Sequence, residues 1–313
     1  MKRILITGVS GYLGQHLLHK LLISSTSDSE NYVIHALYRK LEGFEESVRH
    51  AIKCPKAKVY FATFDITNAA SISDYVQRHG TFHICIHLAA LSSPAICEGD
   101  IDQARALNVP THLFQALGET PIVALSTDQV YDGHTPIYNE LDAPNPMNVY
   151  GKTKVEMEQH LLLTYPKVVC LRSSIILGKL APFGKAHSTF LHFCASQATM
   201  ETSFYTDEIR NVIAVNDVVA VLEWFCENGI TEQTRGVYNM GGKTRASRFD
   251  MAQITASECG HSSELVAPAR KADQSKGDVP SPLDISMNST KLENLVGLEF
   301  QGLDEIVRAT FAS

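Results

Sequence analysis

The first half of the chain alternates short apolar runs with segments of helical periodicity. KRILIT (Lys2–Thr7), YVIHALY (Tyr32–Tyr38), KVYFATFD (Lys58–Asp65), FHICIHL (Phe82–Leu88), PIVALS (Pro121–Ser126) and VVCL (Val168–Leu171) are short and mostly apolar. That is the form of strands buried on both faces of a sheet. Between them, Gln15–Ile23, Thr67–Gly80, Asp102–Leu117 and 150–163 read as helices. Strands alternating with helices predict an α/β, doubly wound parallel sheet, with ligands outside the carboxyl ends of the strands.

The rhythm changes after Gly178. Lys179–Lys185 reads as a loop, Ser188–Ser196 as a helix, Phe204–Ile213 as an extended piece carrying charges, and Val215–Asn228 as an amphipathic helix. Gly236–Met240 reads as a strand, Arg248–Cys259 as a helix and Lys271–Pro282 as a polar surface loop. The expected division is a dinucleotide-binding domain over 1–178, to which 209–240 returns, and a smaller C-terminal substrate-binding lobe built mainly from 179–313.

Composition narrows the function classes without choosing one. The 313 residues are 44% hydrophobic and 19% charged, with a net charge of −7. A nucleic-acid surface is disfavoured by that charge and by the lack of a long basic block. No apolar run approaches the ~18 residues of a membrane span, and the start MKRILI is broken at Thr7-Gly8 before a signal-peptide core can form. The seven cysteines include no CxxC pair; Cys85 and Cys170 lie in apolar runs and read as small buried hydrophobes. His83 with His87, and His16 with His19, share faces but lack a third ligand, so no metal site is expected. The reading is a cytoplasmic protein with reduced thiols.

Candidate chemistry sits where strands end. TGVSGYLG follows the first strand and opens the first helix. In a TGxxGxxG turn, Gly8 permits the tight turn, Gly11 lets backbone approach a pyrophosphate, and Gly14 lets helix pack on sheet. Arg39-Lys40 ends the second strand, where a cation suits the 2′-phosphate of NADP rather than the ribose 2′-hydroxyl of NAD. Asp65-Ile66 ends the third strand, and the small Ala89-Ala90 follow the fourth. The fifth strand runs into Thr127, Asp128, Gln129 and Tyr131, and Tyr150 and Lys154 lie one helical turn apart. Hydroxyl, phenol and ammonium together can exchange a proton with a carbonyl or alcohol. A phenol has an ordinary pKa near ~10, and a neighbouring ammonium would draw it toward working pH.

TGVSGYLG, HLAA, STDQVYDG and YGKTK together resemble the extended short-chain dehydrogenase/reductase superfamily, whose dinucleotide-binding domain is a Rossmann fold. With PSPLDISMNSTKL, they resemble its branch holding dTDP-4-dehydrorhamnose reductase and the regulatory β subunit of methionine adenosyltransferase. The resemblance implies catalytic roles for Thr127, Tyr150 and Lys154. It implies cofactor contacts from Gly8, Ser10, Gly11, Tyr12, Leu13, Gly14, Arg39, Asp65, Ile66, Ala89, Ala90, Tyr150 and Lys154. Asp128, Gln129, Arg172 and Arg210 are substrate-side candidates, structural salt bridges being the alternative for the two arginines.

The activity implied is NADP(H)-dependent reduction of a keto group, on a nucleotide-linked deoxysugar, with Tyr150 as general acid and NAD(H) as the alternative cofactor. The alternatives are an NADP-binding regulatory subunit that engages methionine adenosyltransferase, and an NAD-dependent sugar-nucleotide epimerase. Homodimerisation through the Tyr150 helix is a further implication. Two departures matter. Gln129 stands where the superfamily's dehydratases place Glu, and its amide cannot transfer protons as that acid does. RSSIILG (Arg172–Gly178) lacks the tryptophan typical of rhamnose-forming reductases.

Overall fold

The computed structural model describes residues 1–23, 32–39, 41–184, 188–273 and 279–312. The chain opens with β1 (Lys2–Thr7), α1 (Tyr12–Ile23), β2 (Tyr32–Tyr38), α2 (Phe44–Ala51), β3 (Lys58–Thr63), α3 (Ala69–His79) and β4 (Ile84–His87). It continues through α4 (Pro94–Gly99), α5 (Ile101–Asn108), α6 (Thr111–Leu117), β5 (Ile122–Thr127), α7 (Val149–Thr164) and β6 (Val168–Ser173). Then come β7 (Ile176–Leu177), α8 (Phe190–Gln197), β8 (Thr202–Tyr205), β9 (Ile209–Asn211), β10 (Ile213–Ala214), α9 (Val215–Asn228) and β11 (Gly236–Met240). β12 (Arg245–Ser247), α10 (Arg248–Glu258), β13 (Val266–Ala269), α11 (Thr290–Val296) and α12 (Leu303–Phe311) complete it.

Seven parallel strands form the central sheet in the order β11-β6-β5-β4-β1-β2-β3. The order reverses between β1 and β4, so the crevice expected of a doubly wound sheet opens at their carboxyl ends. Alternation along each strand divides the apolar side chains between two cores. Ile4 and Ile6 of β1 point toward Leu17, Leu18 and Leu21 of α1 and Leu222 and Phe225 of α9. Leu5, Cys85 and Cys170 face Leu113 and Phe114 of α6 and Met157 and Leu161 of α7. Each fully buried Ile or Leu contributes ~1.5–3 kcal/mol, so the apolar strands specify both layers at once. Cys85 and Cys170 are buried free thiols, as their apolar surroundings imply.

Three segments differ from the pattern-based expectation. Asp102–Leu117 is not one helix: α5 stops at Asn108, and Pro110, which has no N–H to donate, accepts from Leu113 and Phe114 to start α6. Phe204–Ile213 is not one extended piece but parts of β8, β9 and β10, which pair respectively with β13, β12 and β7. α4 was masked by its brevity, though Ser93 caps it and Pro94 opens it. After Gly178 the chain supplies β11 to the sheet and α9 to the layer beside α1, while α8, α10 and α12 build further apolar clusters.

Candidate active site

The turn between β1 and α1 forms one wall of the crevice. Gly8 adopts φ +72°, and a Cβ there would stand 2.7 Å from the Ala89 amide nitrogen. A Cβ at Gly14 would stand 2.3 Å from the Gly8 carbonyl oxygen. Both glycines therefore answer to packing between β1, α1 and the end of β4. Gly11 is exposed, and a Cβ there would approach only the Gly8 carbonyl, at 3.2 Å, so its outer side stays open beside Ser10. The first amides of α1, at Tyr12 and Leu13, have no intrahelical acceptor and carry the helix's positive end. Their side chains go elsewhere: Leu13 into the core, and the Tyr12 hydroxyl to the Lys179 carbonyl at 2.9 Å. Gln15 ties the loop after Gly178 to this turn, donating to the Ser10 and Gly184 carbonyls and accepting from the Phe183 amide.

Arg39 follows β2 and Asp65 follows its neighbour β3, so both stand at the carboxyl ends of adjacent strands. Arg39 is exposed, and its charge acts on the Asp65 carboxylate. Asp65 Oδ1 accepts from the Thr67 hydroxyl at 2.7 Å and the Thr67 amide at 2.9 Å. Those two bonds, with Arg39 adding, hold Asp65 below the usual carboxylate range. Ile66 is buried in the core on the α3 side, and Ala89 and Ala90 run out from β4 with small side chains. Lys40 lies outside the described residues.

Thr127 ends β5, and α7 brings Tyr150 and Lys154 to it; all three are nearly inaccessible. Asn148 caps α7 by accepting from the Gly151 amide at 2.9 Å, and it donates to Gln129 Oε1 at 2.8 Å. A Cβ at Gly151 would stand 2.3 Å from the Gln129 carbonyl oxygen, so glycine there lets α7 press against the turn after Thr127. Asn108 anchors the other side, bridging Leu91 and the Thr153 hydroxyl.

Proton affinities depart from the simple expectation. Burial pushes the Tyr150 phenol above its ordinary range; a hydrogen bond with Thr127 opposes this, and Asp128 adds to it. The Lys154 ammonium, one helical turn away, also acts on Glu158, Cys170 and His87. Burial draws Lys154 down from 10.5 to about 8. Its one hydrogen-bond acceptor among the described residues is the Met157 thioether, at 3.6 Å. His87 bonds Thr7 Oγ1 through Nδ1 at 2.8 Å, while its buried Nε2 has no hydrogen-bond partner among the described residues.

The arginines proposed for substrate are committed internally. Arg172 donates to both oxygens of Glu158, the shortest contact being 2.7 Å, and to the Tyr131 hydroxyl at 2.8 Å. Its guanidinium is buried and pairs with a carboxylate on the same face of the sheet, so the salt-bridge alternative describes it. Arg210 donates to the carbonyls of Ile209, Pro282 and Leu283 and lies 3.8 Å from Asp128 Oδ2. Arg210 also faces Glu208, which accepts from Arg248 at 3.0 Å. Asp128 accepts from the Ser174 hydroxyl at 3.0 Å and from Thr127 at 3.2 Å. Burial raises the Asp128 pKa against the pull of Arg210 and these hydroxyls. No three His, Cys, Asp or Glu side chains among the described residues could hold a metal.

Sequence reasoning gave no role to Asn148, Gly151, Glu158, Ser174 or Glu208. Asn148 was readable as an N-cap before a helical run. The others act through partners distant in sequence, which no local pattern carries.

From residue 1 to residue 312 the chain matches the profile of the RmlD substrate binding domain. The chain belongs to that family. This RmlD-family chain is 25% identical over 305 residues to methionine adenosyltransferase 2 subunit beta of Danio rerio, covering 96% of this chain and 86% of that protein. It is 28% identical over 259 residues to dTDP-4-dehydrorhamnose reductase of Aggregatibacter actinomycetemcomitans, covering 80% and 77%. Among solved structures it resembles dTDP-4-dehydrorhamnose reductase of Bacillus anthracis in complex with NADP, with a TM-score of 0.76 and 23% identity over 99% of this chain and 98% of that one. The extended short-chain dehydrogenase/reductase fold expected from the motifs is thereby established. No helix among the described residues is long and apolar enough to cross a membrane.

Proposed function

We propose that this RmlD-family protein is an NADP(H)-dependent reductase of a keto group carried by a nucleotide-linked deoxysugar. The observation that carries the reading is Lys154. A buried ammonium whose acceptor is a single thioether leaves donors unfilled, which is costly unless a ligand fills them. The hydroxyls of a nicotinamide ribose have the complementary chemistry. The glycine turn, the small Ala89 and Ala90, and the Arg39 cation at the end of β2 fit the pyrophosphate, the flat face and the 2′-phosphate of the same cofactor. NAD(H) is the alternative that Arg39 disfavours. When bound, NADPH supplies the hydride.

The chain's own residues then manage the proton and the geometry. Thr127 positions the carbonyl oxygen, and Tyr150 protonates it. The phenol is protonated at neutral pH, as a general acid must be, and its proton transfer depends on offsetting the burial that raises it. Lys154 compensates the phenolate left behind. Gln129 is bound to the Asn148 amide and offers no acid, which supports reduction over dehydration.

The test is NADPH oxidation with a dTDP-4-keto-6-deoxyhexose. Tyr150→Phe should lower kcat by ~10²–10⁴-fold; equal rates for the two proteins would remove the reading.

A second reading is an NADP-binding regulatory subunit of methionine adenosyltransferase. Its support is that Arg172 and Arg210 are both held in internal ion pairs, which leaves neither free for a sugar diphosphate. Stable co-purification with a methionine adenosyltransferase, with no turnover of keto sugars, would favour it over the first.

A further inference from the structure

A second concave region lies at the amino ends of the strands, away from the cofactor crevice. The register sets Arg3 beside Val33 and Val33 beside Lys58; one pair further along, Leu5, His35 and Tyr60 align. Alternate strand residues share a face, so Arg3, Val33, His35, Lys58 and Tyr60 line one side of the sheet. Arg78 and His79, in the last turn of α3, complete a hollow of about 360 Å³.

No carboxylate among the described residues lines this hollow, in a chain whose net charge is −7. Arg78 pairs with Asp74, and cations at a helix C-terminus have an ordinary explanation in the helix dipole. Arg3, His35 and Lys58 come from strands and have no such explanation. Arg3 donates to the Thr81 carbonyl at 3.2 Å and sits over the Phe82 ring; Lys58 Nζ lies 4.8 Å from the centre of the Tyr60 ring. Neither cation meets a carboxylate among the described residues. His35 is buried against Tyr60, His79 and Phe82, with Nε2 3.5 Å from Arg3 Nη2. Burial first, and then the charges of His79 and Arg3, draw His35 down to about 4. Burial, Arg3 and Arg78 likewise lower His79. Higher on the same face the strands return to apolar Leu5 and Leu37, so the core does not require these cations.

We propose that this hollow binds a phosphate-bearing small ligand, the phosphate meeting Arg3, Lys58 and Arg78 and a flat ring lying on Tyr60. Guanidinium groups match phosphate geometry, and the ring of Tyr60, a residue 39% exposed, offers a contact for a nucleobase-sized ring once Lys58 turns from it to the phosphate. The ligand class is a nucleoside monophosphate. The proposal does not depend on the chemistry assigned to Tyr150.

The full chain would be titrated with inorganic phosphate and, separately, with adenosine 5′-monophosphate, while NMR follows the imidazole carbon–proton signals. His35 and His79 report on the hollow; His16, beside the glycine turn, reports on the crevice. The expected result is a saturable shift of His35 and His79, with the monophosphate binding at least about tenfold more tightly than phosphate. Lys58→Gln, on the exposed edge strand, should weaken both by about tenfold, as should Arg3→Gln. No saturable shift at His35 and His79, a shift confined to His16, or shifts undiminished in both variants would each overturn the site. Equal affinities for the two ligands would overturn the ring contact.

Discussion

Replacing Lys154 by methionine isolates the cost of holding a charge inside the site. Methionine keeps the apolar stem and approximate length but removes the ammonium. In the fold, burial lowers the lysine from 10.5 to about 8, with the attractions of Cys170 and Glu158 only partly opposing it. At ~1.4 kcal/mol for each tenfold change in proton affinity, the native state disfavours the charged form by about 3 kcal/mol. Below pH 8 the ammonium is charged in native and unfolded chains alike, and the full penalty applies. Between 8 and 10.5 the native chain sheds the proton while the unfolded chain keeps it, so wild-type stability rises with pH in that window. Above 10.5 both are neutral and the penalty is gone.

Cofactor-free Lys154→Met should therefore be more stable than wild type by about 2–3 kcal/mol at pH 6–7, with the advantage shrinking as pH rises through 8 toward 10. Urea unfolding at a series of pH values reads this difference, because titrating groups remote from Lys154 cancel between the two proteins and only its neighbours Glu158, Cys170 and His87 respond to the change. Adding NADPH should reverse the order, since the ligand stabilises in proportion to its affinity and the variant has lost the donor set that would hold it. A variant less stable than wild type at pH 7, or an advantage that does not change with pH, would refute the argument that Lys154 is a strained cation awaiting a ligand.

Three other substitutions test the supports around it. Gly151→Ala puts a Cβ 2.3 Å from the Gln129 carbonyl oxygen and should cost ~1–3 kcal/mol in urea unfolding; a change within experimental error would show that α7 can shift away. Glu158→Gln removes the carboxylate from buried Arg172 and should cost ~3–5 kcal/mol, whereas replacing both by methionine should be nearly neutral. A small effect of Glu158→Gln would show that Tyr131 alone satisfies the guanidinium. Arg39→Ala should weaken NADPH by at least about tenfold while leaving NADH nearly unchanged, measured by calorimetry; equal losses for both would remove the 2′-phosphate assignment.

The readable parts of the fold were those dictated by neighbours in sequence. β2, α9 and β11 occupy the segments that their apolar patterns outlined, because a strand between two helix layers must be apolar at every position. The glycine turn was readable for a related reason: Gly8 and Gly14 stand in contact within one strand–turn–helix unit. Pro110 was a local signal too, and a stricter reading of its missing N–H would have split α5 from α6. The illegible parts depend on long-range meetings. Nothing near Arg172 announces Glu158 on α7, and nothing near Arg210 announces Asp128 or the carbonyls of Pro282 and Leu283. β9 and β12 are three residues each, too short for a periodicity to register.

The fates of the three buried cations separate scaffold from ligand-facing chemistry more sharply than their positions do. Arg172, Arg210 and Lys154 are all nearly inaccessible and cluster around the carboxyl ends of β5 and β6. A buried charge persists only when compensated, so the two arginines, each held by a carboxylate and further acceptors, belong to the frame. They fix Tyr131, Asp128 and, through Asp128, the hydroxyl of Thr127. Arginine suits that task because its planar fork saturates several fixed acceptors at once and does not titrate. Lysine suits the opposite task. Its ammonium keeps a single soft partner within the described chain, and in the proposed reductase its other donors would go to the hydroxyls of the cofactor. The residue types thus fit the proposed roles: arginine where the acceptors are already built into the chain, lysine where a cofactor would bring them.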